Sequence, residues 1–121
     1  MLMGVVIMNT VTRGTIIMAE LNSIEANVQR CMRPVIVIQN NIGNKFSPTL
    51  IVAPLTSRIK RDMVTHAKLY PTIENGLTVA STALLEQIQT ISKDSVKRVL
   101  GVLNDVEMKL INKAITASLA L

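Results

Sequence analysis

The sequence predicts a mainly β domain, a strongly curved or barrel-like antiparallel sheet closed by a C-terminal helix. Three observations carry this expectation. Val35-Ile36-Val37-Ile38 and Leu50-Ile51-Val52-Ala53 are short apolar runs rich in β-branched residues, bounded by Pro34, Asn40-Asn41-Ile42-Gly43 and Ser47-Pro48, as core strands are. Beyond Asn104 the pattern becomes helical: Asp105, Lys109, Asn112, Lys113 and Thr116 form one polar stripe, with Asn104 and Glu107 spaced as a capping box. No internal repeat or low-complexity tract interrupts the chain, and 121 residues make one domain. Residues 1–11 are assigned to an N-terminal extension and residues 12–121 to the domain.

Taken in order, residues 15–21, TIIMAEL, predict a first strand, and residues 22–32 a polar loop carrying Glu25, Asn27, Gln29 and Arg30 toward Arg33. The two core strands follow, joined through Asn40 to Pro48 by a connection with turn chemistry. Arg58-Ile59-Lys60-Arg61 reads as a basic linker and Thr65 to Leu69 as a further strand ending at Tyr70-Pro71. After Glu74-Asn75-Gly76, Leu77 to Leu85 is strand-like, and Gln87 to Ile91 alternates polar and apolar. Ser92 suits the N-cap of a short helix over Lys93 to Leu100, with Gly101 ending it. The last helix is apolar around the rest of its circumference, at Val106, Leu110, Ile111, Ala114, Ile115 and Leu119. So broad a face predicts packing on the sheet and on a second subunit.

Hydrophobic residues make up 49% of the chain against 17% charged, which excludes disorder. A net charge of +5 attracts polyanions: RNA, DNA, an acidic protein segment or an anionic membrane. One cysteine, Cys31, rules out an intrachain disulfide framework and fits a reducing compartment; with one histidine, His66, it leaves no zinc or iron site. No metal or cofactor is expected. The opening MLMGVVIM has neither a basic flank nor enough apolar residues to span a bilayer, so the cytoplasm is the expected location, and Met8 is a second candidate start.

If the two core strands are antiparallel neighbours, the start of one lies beside the end of the other. Arg33 precedes the first and Thr56 follows the second, so a guanidinium and a hydroxyl would meet at one rim, a pairing suited to phosphate chemistry.

Several blocks in order resemble one known family: Arg13-Gly14, Arg33-Pro34 through Gln39-Asn40, Gly43-Asn44, Ser47-Pro48-Thr49, Leu55-Thr56-Ser57, Thr65-His66, Leu84 through Thr90, and Ser118-Leu119. Together they resemble the MazF/PemK toxins of toxin–antitoxin systems over residues 12–121. The resemblance implies an SH3-like curved sheet and a homodimeric, sequence-specific, metal-independent endoribonuclease cleaving single-stranded RNA, often mRNA. It also implies a cognate MazE-like antitoxin that lays an acidic disordered segment over the RNA groove. The family's catalytic arginine and threonine fall on Arg33 and Thr56. Its glycine-rich loop falls on residues 26–31, where ANVQRC keeps only Gln29; Thr15 and Ala80 stand where the family commonly has Asp, and Gln89 where it has Arg.

Cleavage without metal can use the substrate's own 2′-hydroxyl, which attacks phosphorus and expels the 5′-oxygen, leaving a 2′,3′-cyclic phosphate. Arg33 suits stabilisation of the phosphorane and Thr56 a hydrogen bond at the phosphate. Candidate RNA contacts are Gln29, Arg30, Asn40, Lys45, Phe46, Ser57, Arg58, His66, Ser81, Glu86 and Gln87, with Lys60 and Arg61 as further cations. Single imidazoles on short strands are more often structural, and a solvated charge run is an equal reading for Arg58, Lys60 and Arg61. With only one Phe and one Tyr, Phe46 and Tyr70, the grip on RNA rests on cations and base-edge hydrogen bonds rather than aromatic platforms. The alternative is a non-catalytic paralogue that binds RNA, antitoxin or a target protein such as gyrase. Gyrase-poisoning toxins of this fold carry a tryptophan-containing tail, and this chain has no tryptophan.

Overall fold

The structure, a computed structural model, describes residues 11–21, 31–58 and 61–121, and for Cys31 only the backbone. Seven strands form one curved antiparallel sheet: β1 (Thr15–Leu21), β2 (Cys31–Val37), β3 (Thr49–Thr56), β4 (His66–Leu69), β5 (Ser81–Leu84), β6 (Gln89–Ser92) and β7 (Val96–Val102). Their order is β4-β5-β3-β2-β1-β7, with β6 also on β3. The end strands do not pair with each other, so the sheet is not closed into a barrel. Helix α1 (Asn41–Phe46) links β2 to β3, and helix α2 (Asp105–Leu119) ends the fold.

The unbroken apolar runs have a simple cause: the central parts of β1, β2 and β3 are buried on both faces. Ile16, Ile36, Ala53 and Leu55 belong to a core that includes Ile111 and Ala114 of α2. Their neighbours Ile17, Val35, Val37, Leu50 and Val52 belong to a second core with Val11 and Ile91. Alternation therefore sends apolar side chains both ways, and no polar face remains to mark the period.

Curvature arises at β3 and β1. Strand β3 pairs with β6 through Thr49–Val52 and with β5 through Leu55–Thr56; Pro54 lies between these partners, where a missing N–H is tolerated. Register shifts between β1 and β7, at Ile16/Ile17 and Met18/Ala19, add the local bend of β-bulges.

Four expectations need correction. The 40–48 connection contains α1, started by the Asn40 side chain, which accepts from the Gly43 N–H at 2.8 Å. The helix expected over Lys93 to Leu100 is absent: Ser92 caps a single 3-10 turn, Lys93–Ser95, and the chain continues as β7. Here pairing with the free edge of β1 overrides local helix signals, and Val96 and Val99 pack against the second core. Gly101 is a site of close approach rather than a helix stop, since a Cβ there would lie 2.3 Å from the Glu74 carbonyl oxygen. The strand expected from Leu77 to Leu85 shrinks to Ser81–Leu84, and a 3-10 turn, Leu85–Gln87, precedes β6. Because β5 and β6 both pair with the same edge of β3, the backbone must step out between them.

Helix α2 begins as expected: Asn104 Oδ1 accepts from the Glu107 N–H at 2.8 Å and Glu107 Oε1 from the Asn104 N–H at 3.0 Å. Only Ile111 and Ala114 of its apolar face are buried. Val106 and Leu110 remain 69% and 45% exposed. The expected strand at 15–21 is found unchanged, and that at 65–69 starts one residue later. Of the extension expected at 1–11 and the loop expected at 22–32, residues 1–10 and 22–30, Gln29 and Arg30 among them, lie outside the described residues, as does Lys60; Val11 packs in the second core, and Cys31 and Met32 belong to β2.

Candidate active site

Strands β2 and β3 are antiparallel neighbours with Val35 opposite Pro54 and Val37 opposite Val52. Extending that register by two residues sets Arg33 opposite Thr56, on the same face of the hairpin. Both line a groove of about 440 Å³ that also takes in Ser57, Arg58 and Ser81. Its remaining walls are apolar: Met32, Pro34, Leu55 and Val79. Leu55 is buried at the groove's base, whereas Arg33 is exposed and Thr56 half-buried.

The Thr56 hydroxyl is oriented by its own turn. Its Oγ1 accepts from the Arg58 backbone N–H at 3.1 Å, which leaves the hydroxyl hydrogen free to donate elsewhere. Arg33 brings a planar fork of donors to the same rim. Ser81 lines the groove, but its hydroxyl donates to the Val79 carbonyl at 3.0 Å, so it fixes the approach to β5.

Other expected contacts lie elsewhere. Asn40 is engaged in capping α1, and Lys45 and Phe46 are at the far end of the β2–β3 hairpin from the groove. There Lys45 Nζ sits 5.3 Å from the Phe46 ring centroid, a cation–π contact. His66 and Glu86 pair with each other beyond β5, at 3.0 Å between Nε2 and Oε2. Gln87 ends the 3-10 turn after β5, and Arg61 is exposed. None of these lines the groove. Sequence reasoning missed Met32 and Val79, because neither residue type signals a site; only the convergence of β2 with the approach to β5 brings them there.

Burial alone would raise the pKa of Glu86, but its own backbone N–H, His66 and the Thr65 hydroxyl at 3.3 Å together hold it below the ordinary 4.5. A depressed folded-state pKa contributes stability that is complete above the unfolded value and is lost as pH falls through the folded one. Glu86→Gln is therefore expected to be less stable than the parent at pH 6–7, with the gap closing below about pH 4. Urea titrations at several pH values check this; a gap independent of pH contradicts it.

Among the described residues no group of three or more His, Cys, Asp or Glu is placed to hold a metal ion, and no helix is long and apolar enough to cross a membrane. Arg33 and Thr56 thus bring a guanidinium and an oriented hydroxyl to one groove at the rim of a curved antiparallel sheet.

The sequence pattern of the family described as "PemK-like, MazF-like toxin of type II toxin-antitoxin system" matches residues 12–119. The chain is 42% identical over 110 residues to the endoribonuclease MazF of Staphylococcus saprophyticus, covering 90% of this chain and 91% of that one. The chain belongs to the PemK-like, MazF-like toxin family, a family of endoribonuclease toxins. Solved structures share its fold. A mycobacterial endoribonuclease in complex with its cognate antitoxin superposes with a TM-score of 0.77 at 23% identity, over 93% of this chain and 97% of that one. MazF of Deinococcus radiodurans gives 0.74 at 15% identity, over 92% and 97%.

Proposed function

We propose that this chain is a sequence-specific, metal-independent endoribonuclease toxin cutting single-stranded RNA, messenger RNA included, by attack of the 2′-hydroxyl on the adjacent phosphorus. The observation that carries this reading is the single groove shared by Arg33 and Thr56. In the reaction the 2′-oxygen bonds to phosphorus and loses its proton, while the bond to the 5′-oxygen breaks and that oxygen gains one. The products are a 2′,3′-cyclic phosphate and a 5′-hydroxyl. Negative charge builds on the non-bridging oxygens, where the Arg33 fork neutralises it and the Thr56 hydroxyl donates a hydrogen bond. No described residue lining the groove is a carboxylate or an imidazole, so the proton transfers are assigned to no side chain.

The test is incubation of the purified protein with a long RNA in EDTA. Discrete fragments are expected, and Thr56→Ala should slow their formation about 10²-fold while Thr56→Ser retains most of the rate. Cleavage that requires added metal, or that ignores Thr56, contradicts the reading. RNA that is bound but left intact would mark the chain as a non-catalytic paralogue.

Two partners belong to the same proposal. The exposed Val106 and Leu110 on α2 support a homodimer, which light scattering would detect and Leu110→Glu should weaken. The net charge of +5 supports an antitoxin whose acidic, disordered segment covers the groove; such a peptide should compete with RNA in a salt-dependent manner.

A further inference from the structure

We infer that Met32 and Val79 form an apolar seat for the nucleobase next to the scissile phosphate, making both residues determinants of substrate affinity and cleavage-site choice. This inference rests on the ribonuclease reading above and adds a subsite to it.

The groove is larger and less polar than a phosphodiester alone requires. Its volume of about 440 Å³ falls within the range of pockets that enclose small organic ligands, roughly 300–1,000 Å³. Arg33, Thr56, Ser57 and Arg58 suit an anion, but Met32, Pro34 and Val79 have nothing to offer one. Met32 and Val79 are 50% and 54% exposed. Scattered apolar exposure is ordinary on protein surfaces; here both residues line the one groove that Arg33 and Thr56 also line.

The chemistry of single-stranded RNA supplies the occupant. Its bases are splayed from the backbone and must be covered, usually by aromatic rings. The chain's only Phe and Tyr, Phe46 and Tyr70, do not line this groove. A thioether and an isopropyl group cover a base face in their place, and methionine sulfur packs well against aromatic rings. The Arg33 and Arg58 cations would hold the adjoining backbone, so base and phosphate are bound as one unit.

Val79 is held in place. The Ser81 hydroxyl, itself buried, donates to the Val79 carbonyl at 3.0 Å, fixing the bend immediately before β5. Ser81 is thus a positioning residue that acts through Val79. The strand pairing of Ser81 with Leu69 of β4 anchors this bend to the sheet.

The experiment compares the parent, Met32→Ala, Val79→Ala, Val79→Ile and Ser81→Ala, with Ile73→Ala as an exposed control outside the groove. One arm maps 5′ ends after cleavage of a long RNA and determines KM and kcat on a short oligonucleotide. The other measures binding of the same oligonucleotide carrying a 2′-deoxy group at the scissile nucleotide. Val79→Ala is expected to raise KM and the dissociation constant about 10-fold, to relax preference at one nucleotide beside the cut, and to leave the other positions as in the parent. Met32→Ala should do the same more weakly; Val79→Ile should recover the affinity, and Ser81→Ala should follow Val79→Ala in KM more than in kcat. Unchanged KM, affinity and cleavage pattern in both alanine variants at the seat would overturn the inference even if the parent cuts RNA efficiently. A parent that binds but does not cut would overturn the ribonuclease reading, and the binding arm would still decide whether the seat exists.

Discussion

Arg33→Ala is expected to lower the rate of RNA cleavage about 10³-fold while leaving the fold intact. The side chain is exposed at the start of β2, so its removal leaves no cavity and no buried group without a partner. On the proposed mechanism, what disappears is the positive fork that would face the phosphate when its charge is greatest. Losing one such donor commonly costs about 10²–10³ in rate, or roughly 3–4 kcal/mol of transition-state stabilisation, and this residue brings a charge as well. Arg33→Lys should fall between the two, because it keeps the charge and loses the planar two-point geometry. Single-turnover cleavage alongside thermal melting measures both effects. A variant that melts like the parent and cuts within 10-fold of its rate would remove Arg33 from the proposed chemistry.

Gly76→Ala should have the largest effect on folding. Gly76 adopts φ of +70°, and a Cβ added there would stand 2.1 Å from the Leu100 carbonyl oxygen in β7. The left-handed backbone disfavours alanine, and a neighbouring strand cannot yield as a flexible side chain can, so a loss of roughly 2–5 kcal/mol is expected. The loss would spread because the adjoining Asn75 is a buried junction. Its Nδ2 donates to the Tyr70 carbonyl and to Glu107 Oε2, both at 2.9 Å, while its Oδ1 accepts from the Thr72 and Leu77 N–H groups. The turn thereby ties the connection between β4 and β5 to the first turn of α2. Urea denaturation gives the measurement; a change under about 0.5 kcal/mol would mean that the close approach is readily relieved.

Much of the fold was legible in the sequence, for reasons visible in particular residues. Strand β1 and the capping box at Asn104 and Glu107 carry local signals that the tertiary structure leaves undisturbed. The convergence of Arg33 and Thr56 was also legible, because antiparallel neighbours bring the start of one strand beside the end of the next. Strand β7 was not. Ser92, Asp94 and Gly101 imitate the beginning and end of a helix, and only the open edge of β1, far away in sequence, turns the segment into a strand. Helix α1 was hidden because six residues are too few to display a period, although Asn40 was there to cap them. The groove's apolar walls were the least legible part: Val79 sits inside the strand expected over Leu77 to Leu85, and only the bend before β5 brings it to the groove with Arg33.

Arg33 and Thr56 are proposed to serve an attack by the substrate's own 2′-hydroxyl. An otherwise all-ribose oligonucleotide containing one cleavage site, with deoxyribose only at the nucleotide whose hydroxyl would attack, tests this most directly in EDTA. The substituted strand is expected to bind like its parent and stay whole at that bond, while the parent yields a cyclic phosphate and a 5′-hydroxyl. Scission of the substituted bond at the parental rate would contradict it.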